Sequence, residues 1–284
     1  MNKVRVLSNI HIHPLFWVIV VIAVIHAQFF NLLLLFLIVF IHELGHLVAC
    51  LYFSWDVKRV LLLPFGGVVE TDEHGRRPLK EEMIVILAGP LQHFWLIALA
   101  KILFLFSFIS PATYETFVQF NWMILFFNCL PILPLDGGKL LYYIFSSLWP
   151  FRVALERAIY TSTVFLMLFT IAILLIFPTH LNGWLMVFFL AYSLMQEWKN
   201  RHYTFMRFLL ERYDEVPQVM RKRRVVVHEN DSILDVVQKF YRGFLHSVVV
   251  VDKGTNIGII SERACIEAFF QGTTPPPKIK NLLS

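Results

Sequence analysis

Long apolar runs fill the first two thirds of the chain and stop near residue 198. They fall at roughly 12–28, 30–53, 82–107, 115–148 (interrupted), 156–177 and 183–198, each near the ~20 residues that a helix needs to cross a bilayer. The pattern predicts six transmembrane spans. Lysine and arginine orient them. The connections 26–31, 107–116 and 177–183 hold neither residue, whereas the opposite side carries Lys3, Arg5, Lys58, Arg59, Arg76, Arg77, Lys80, Arg152 and Arg157. By the positive-inside rule both termini are expected on the cytoplasmic side. Lys101 and Lys139 fall within spans and read as snorkelling or inward-facing side chains.

Two stretches break the pattern. Between spans two and three, Val57 to Glu70 is too short to cross, is rich in β-branched residues and turns at Pro64-Phe65-Gly66-Gly67. It is expected to form a β-hairpin or re-entrant loop at the inner membrane face, under cover of protein or a wet cavity. From about Val219 the composition becomes that of a soluble module. Strand 224–227, a helix capped by Asp231-Ser232 and running to Tyr241, strands 247–252 and 257–260, and a helix capped by Ser261 follow in order. The expected organisation is an all-α polytopic domain over 1–200, a basic linker over 201–222 and a small α+β domain over 223–284. A module of about 60 residues is marginal alone and wants a partner surface.

Composition agrees. Of 284 residues, 57% are hydrophobic and 16% charged, with a mean hydropathy of +0.64, which excludes an ordinary soluble domain. No cleavable signal peptide is evident. Cys50, Cys129 and Cys265 are odd in number and scattered, against a disulfide framework or thiolate cage. The excess positive charge follows the last apolar run and reads as topology and anionic-lipid contact rather than nucleic-acid binding.

The chemistry lies where ionisable residues interrupt apolar runs. His42-Glu43-Leu44-Gly45-His46 sits inside span two. Ionisable groups at that depth are costly and mark function. On a helix, residues four apart share a face, so two imidazoles converge on one metal and the adjacent glutamate can act as general base. A catalytic zinc site needs a third protein ligand and an open position. Asp136 is the candidate, in Asn128-Cys129-Leu130-Pro131-Ile132-Leu133-Pro134-Leu135-Asp136-Gly137-Gly138, whose prolines and glycines forbid a regular helix. Counted along their spans at about 1.5 Å per residue, all three ligands reach the inner half of the bilayer. Two carboxylates together in lipid would be prohibitive alone, whereas a divalent cation with neutral imidazoles cancels them.

HExxH in one span and NxxPxxPLDGG in a later one resemble the site-2 protease family of intramembrane zinc metalloproteases. The resemblance covers about residues 10–200. It implies His42, His46 and Asp136 as zinc ligands, Glu43 as catalytic base, and substrates cut within or beside a membrane-associated segment. The connection 107–116 has no room for the inserted peptide-binding domain of some members. A short core followed by one C-terminal module resembles the sporulation branch, in which a mother-cell sigma-factor precursor is processed and membrane proteins hold the enzyme inactive. Asn128 and Pro134 match substrate-contacting positions of the family. A kinked helix whose amide satisfies freed backbone groups is an equal reading. The hairpin edge around Pro64, Phe65, Gly66 and Gly67 is expected to bind extended substrate by strand addition.

The C-terminal module, with Gly258-Ile259-Ile260-Ser261, resembles a CBS domain. Such modules pair, so a single copy implies a homo-oligomer. The family commonly binds ATP through a Ser or Thr followed three residues later by Asp. Ser261 is present, but Ala264 stands at the Asp position, and a docking or dimerisation module without ligand is an equal reading. The remaining residues read more plainly: His11 and His13 as interfacial, His93 as either a donor to a carboxylate near the metal or a packing histidine, Cys50 and Cys129 as small core residues. The alternative function is a CBS-regulated transporter or channel, because intramembrane histidines and broken helices also mark ion paths.

Overall fold

A computed structural model describes residues 10–12, 28–63, 66–71, 77–179, 181–214, 221–252, 254–271 and 278–282. Span one, apart from Ile12 and Gln28, lies outside these residues, as do His13, Pro64 and Phe65. The membrane domain comprises β1 (Ile10–Ile12), α1 (Phe29–Tyr52), β2 (Val57–Leu63), β3 (Gly66–Thr71), α2 (Leu79–Leu105), α3 (Pro111–Asn128), α4 (Asp136–Leu148), α5 (Phe151–Ile176) and α6 (Leu181–Asp214). Among the described residues three helices, α1, α2 and α5, are long and apolar enough to cross a membrane. Helix α1 packs against both α2 and α3, α2 against α4, and α5 against α4 and α6.

The interruption expected in span four is real. Helix α3 ends at Asn128 and α4 starts at Asp136. Between them Ile132, Leu133 and Leu135 turn inward and pack on Leu155, Ala158, Ile159 and Leu190 of α5 and α6. The non-helical backbone stays inside protein, as lipid requires: the Leu133 amide donates to the buried Ser162 Oγ at 3.1 Å. Two glycines make the fold-back possible. A Cβ on Gly137 would sit 2.3 Å from the Cys129 carbonyl oxygen, and one on Gly138 2.4 Å from the Leu133 nitrogen.

The hairpin forms as expected. Strands β2 and β3 are antiparallel, with Leu61 opposite Val68 and Leu62 opposite Gly67. Strand β1 adds in parallel to the far side of β2, and His11 lies in it. Among the described residues strand β3 is an edge of this sheet, and it packs against α1.

Helix α6 continues through Asp214, across most of the stretch expected as a linker. Its apolar positions explain this, because Phe205, Phe208 and Leu209 enter the core of the C-terminal module beside Val225, Val248 and Ile266. That module is β4 (Arg221–His228), α7 (Ile233–Val237), β5 (Phe244–Asp252), β6 (Thr255–Ser261) and α8 (Glu262–Phe270). Strands run in the order β4-β5-β6, β5 parallel to β4 and antiparallel to β6. Ser232 and Ser261 cap α7 and α8, accepting from the Asp235 and Ala264 amides. Helix α7 stops at Val237, short of the expected Tyr241.

The two parts are joined by buried polar contacts. The Phe151 amide donates to the Phe240 carbonyl at 2.9 Å, and the Phe151 ring stacks on Phe208 with centroids 4.0 Å apart. Arg212 of α6 donates to the Phe244 carbonyl at 2.7 Å and pairs with Glu262. Burial pushes the Glu262 carboxyl up, but His246 and Arg212 beside it win and hold it below the usual carboxylate range. Arg242 places both terminal nitrogens on Glu82 at the start of α2, and both residues are buried. Removing one member of a buried pair leaves an uncompensated charge, at a cost of about 3–5 kcal/mol. Arg242→Met is therefore expected to loosen the module, read as faster hydrogen exchange across residues 221–252. Adding Glu82→Met should restore most of the protection; an unchanged exchange rate in the single variant would contradict the joint.

Candidate metal centre

Helix α1 brings His42 and His46 to one face, and the fold-back of 129–135 brings Asp136, the first residue of α4, against them. His42 Nε2, His46 Nε2 and Asp136 Oδ2 form a triangle with all three sides 3.1 Å, and all three residues are buried. Their protonation follows from their neighbours. His46 Nδ1 faces the Val85 carbonyl at 2.8 Å; a carbonyl only accepts, so Nδ1 carries the hydrogen and a neutral ring leaves Nε2 bare. His42 Nδ1 faces His93 Nε2 at 3.1 Å, again turning Nε2 to the triangle.

Three lone-pair atoms facing one another in an apolar interior repel unless a cation lies among them. Tetrahedral zinc with bonds of about 2.0 Å spaces its ligand atoms about 3.3 Å apart. The donor set and its spacing fit zinc, with a fourth position left for water or substrate. Among the described residues this is the group of three that could hold a metal ion.

Gly89 of α2 sets how closely that helix can approach. A Cβ there would lie 2.2 Å from His46 Nε2 and 2.8 Å from His42 Nε2. Asp136 uses its other oxygen: Lys139 Nζ donates to Oδ1 at 3.2 Å. Of the two readings given for Lys139, the inward-facing one holds, as an ion-pair partner of Asp136. Lys101, by contrast, rests its ammonium over the Phe104 and Tyr114 rings at 5.4 and 5.5 Å.

A cavity of about 350 Å³ opens from the triangle. Glu43, His46, Asp136, Lys139 and Pro134 line it, together with Glu82, Glu197, Arg207 and, from the C-terminal module, Arg242. Glu43 thus shares a cavity with His46 and Asp136. Pro134 lines the same cavity, whereas Asn128 donates its amide to the Ile124 carbonyl at 3.1 Å within its own helix. Gly66 and Gly67 lie in β3, apart from the triangle's three residues in sequence and element. Ser261 belongs to the C-terminal module, with its hydroxyl in the α8 cap. Cys50 is buried, but Cys129 is exposed and not a core residue. His93 bonds to His42 and Asn121 rather than to a carboxylate.

A profile of peptidase family M50 matches residues 29–111, and a CBS-domain profile matches 216–271. Stage IV sporulation protein FB of Bacillus subtilis is 42% identical over 285 residues, covering 100% of this chain and 99% of that protein. The chain belongs to the site-2 protease family, sporulation branch. A zinc metalloprotease of Methanocaldococcus jannaschii is 35% identical over 117 residues, 40% of this chain and 34% of that protein. The solved site-2 protease from the same organism superposes with a TM-score of 0.53 at 27% identity, over 66% of this chain and 89% of its own. The protein is accordingly an integral membrane zinc metalloprotease with a C-terminal CBS domain, and the transporter reading falls away.

Sequence reasoning missed Gly89, Asn121 and the Arg242–Glu82 joint. A signal existed for Asn121, a polar residue inside an apolar run. None existed for the other two, which depend on which helices meet. Gly89→Ala should shift the His46 ring and strip the metal, read as zinc per protein falling well below one after detergent purification. Full retention of zinc would show that α2 is not pressed on the imidazoles.

Proposed function

We propose that this membrane protease cleaves a membrane-associated protein, a sigma-factor precursor or a similar tethered regulator, at the centre formed by His42, His46 and Asp136 with Glu43 as base. The observation that carries it is the 3.1 Å triangle of bare donor atoms opening into a cavity with Glu43. Zinc bound there would supply Lewis acidity, making a water more acidic and polarising the scissile carbonyl. Glu43 takes the proton of the attacking water as the carbon–oxygen bond forms, then delivers it to the leaving amide nitrogen as the carbon–nitrogen bond breaks. Lys139 holds the second oxygen of Asp136, so that one oxygen stays turned to the metal.

Substrate must lie extended, because a helix shields its own peptide bonds. Among the described residues strand β3 pairs only with β2 and leaves its other side open, which supports a substrate role for Gly66 and Gly67 at its start and, by sequence, for Pro64 and Phe65. Pro134, lining the cavity, supports a substrate-contacting role, and Asn128 borders the same broken stretch. Positive charge on one side supports cytoplasmic termini, on the mother-cell side if the relative's sporulation setting holds here. The domain division near residues 200–222 is supported by the CBS match beginning at 216.

The CBS module supports assembly. Val226, Val249 and Ile259 stand in register across its three strands, on the face away from α7 and α8, and Val226 and Ile259 are 61% and 63% exposed. A second copy pairing on this face gives a homo-oligomer, testable by sedimentation in detergent at several protein concentrations. ATP binding near Ser261 and restraint by inhibitory membrane proteins complete the reading; nucleotide titration and co-purification test them.

Glu43→Gln should lose at least about 10²-fold in cleavage while zinc content stays at the wild-type level. Comparable cleavage by the variant would remove Glu43 from the chemistry. Successive amides of β3 point alternately toward and away from β2, so proline at Val68 and at Val69 probes both the hairpin and its free side. Both variants should lower cleavage of a co-expressed membrane-tethered substrate with zinc retained; normal processing by both would exclude strand addition.

A further inference from the structure

His93 and Asn121 are fully buried within α2 and α3. Polar side chains in such surroundings cost free energy unless paired. Their pairings form a chain whose polarity is fixed at one end. Asn121 Nδ2 donates to the Phe117 carbonyl at 2.8 Å, which turns Asn121 Oδ1 toward His93 Nδ1 at 3.1 Å. An amide oxygen only accepts, so His93 Nδ1 carries the hydrogen. A neutral imidazole has one N–H, so His93 Nε2 accepts, and the atom facing it at 3.1 Å is His42 Nδ1. His42 Nδ1 must therefore carry its hydrogen, and His42 Nε2 is left bare beside His46 Nε2 and Asp136 Oδ2.

We propose that His93 and Asn121 are positioning residues that fix the tautomer and ring orientation of His42, so that Nε2 is presented to the metal. His46 obtains the same service from one backbone carbonyl, that of Val85. His42 has no such carbonyl among its described contacts, and two side chains from neighbouring helices take its place. The arrangement is more than packing: a leucine would fill the same space, but only an acceptor at the position of His93 Nε2 keeps the hydrogen on His42 Nδ1. Partners of this kind behind metal-bound histidines are worth about 10–100-fold in metal affinity.

The inference rests on His42 being a metal ligand, and its test separates the two claims. Zinc affinity is measured on the detergent-purified full chain by competition with a chromophoric chelator, for wild type, His42→Ala, His93→Leu, His93→Gln and Asn121→Leu. His42→Ala should lose zinc. His93→Leu should bind zinc about 10–100-fold more weakly, whereas His93→Gln, whose amide oxygen can accept from His42 Nδ1 while its NH₂ donates to Asn121, should stay within a few-fold of wild type. Asn121→Leu, one step further out, should also weaken binding and carries the test if His93→Leu does not accumulate. Wild-type affinity in both leucine variants would overturn the relay, as would His93→Gln as weak as His93→Leu. Zinc retained by His42→Ala would overturn the metal-ligand reading itself.

Discussion

Three bare electron pairs, on two imidazoles and one carboxylate, face one another across 3.1 Å inside an apolar helix bundle. Such an arrangement is stable around a cation and repulsive without one, and most of the surrounding structure serves to impose it. The Val85 carbonyl fixes the hydrogen of His46. Gly89 lets α2 lie against both rings. Lys139 neutralises the carboxylate oxygen turned away from the centre.

Bringing Asp136 to the histidines forces the chain to stop being a helix at membrane depth. The solution is local and costly only in sequence freedom. Leu133 finds its acceptor in Ser162, the apolar residues of the break pack inward, and Gly137 and Gly138 admit backbone where any side chain would collide. The same break gives the cavity one of its walls. The CBS domain contributes Arg242 to the lining of the same cavity, held there by Glu82. That shared lining gives a physical route by which movement of the C-terminal module reaches the His46–Asp136 pair.

Much of this was legible before any coordinates. HExxH carries its own geometry, because helical spacing alone puts His42 and His46 together, and PLDGG announces a broken helix wherever it falls in an apolar run. The pairing of β2 with β3 and both serine caps were readable for the same reason: they are local. What escaped was non-local. Lys139 reads equally as a snorkelling or an inward-facing side chain until α4 is seen to begin at Asp136, one turn earlier. The stretch after residue 200 reads as a linker by charge, yet Phe205, Phe208 and Leu209 recur at helical spacing and belong to the CBS core. Arg242 and Glu82, 160 residues apart, leave no trace in sequence spacing.

The account turns on what surrounds the metal, and zinc K-edge X-ray absorption on the detergent-purified protein addresses this directly. Two imidazole nitrogens and a carboxylate oxygen should appear at about 2.0–2.2 Å, and the imidazole multiple-scattering signature should weaken when His46 is replaced by alanine. A shell containing sulfur at about 2.3 Å, or a spectrum indifferent to the loss of His46, would mean that this triangle is not the metal centre.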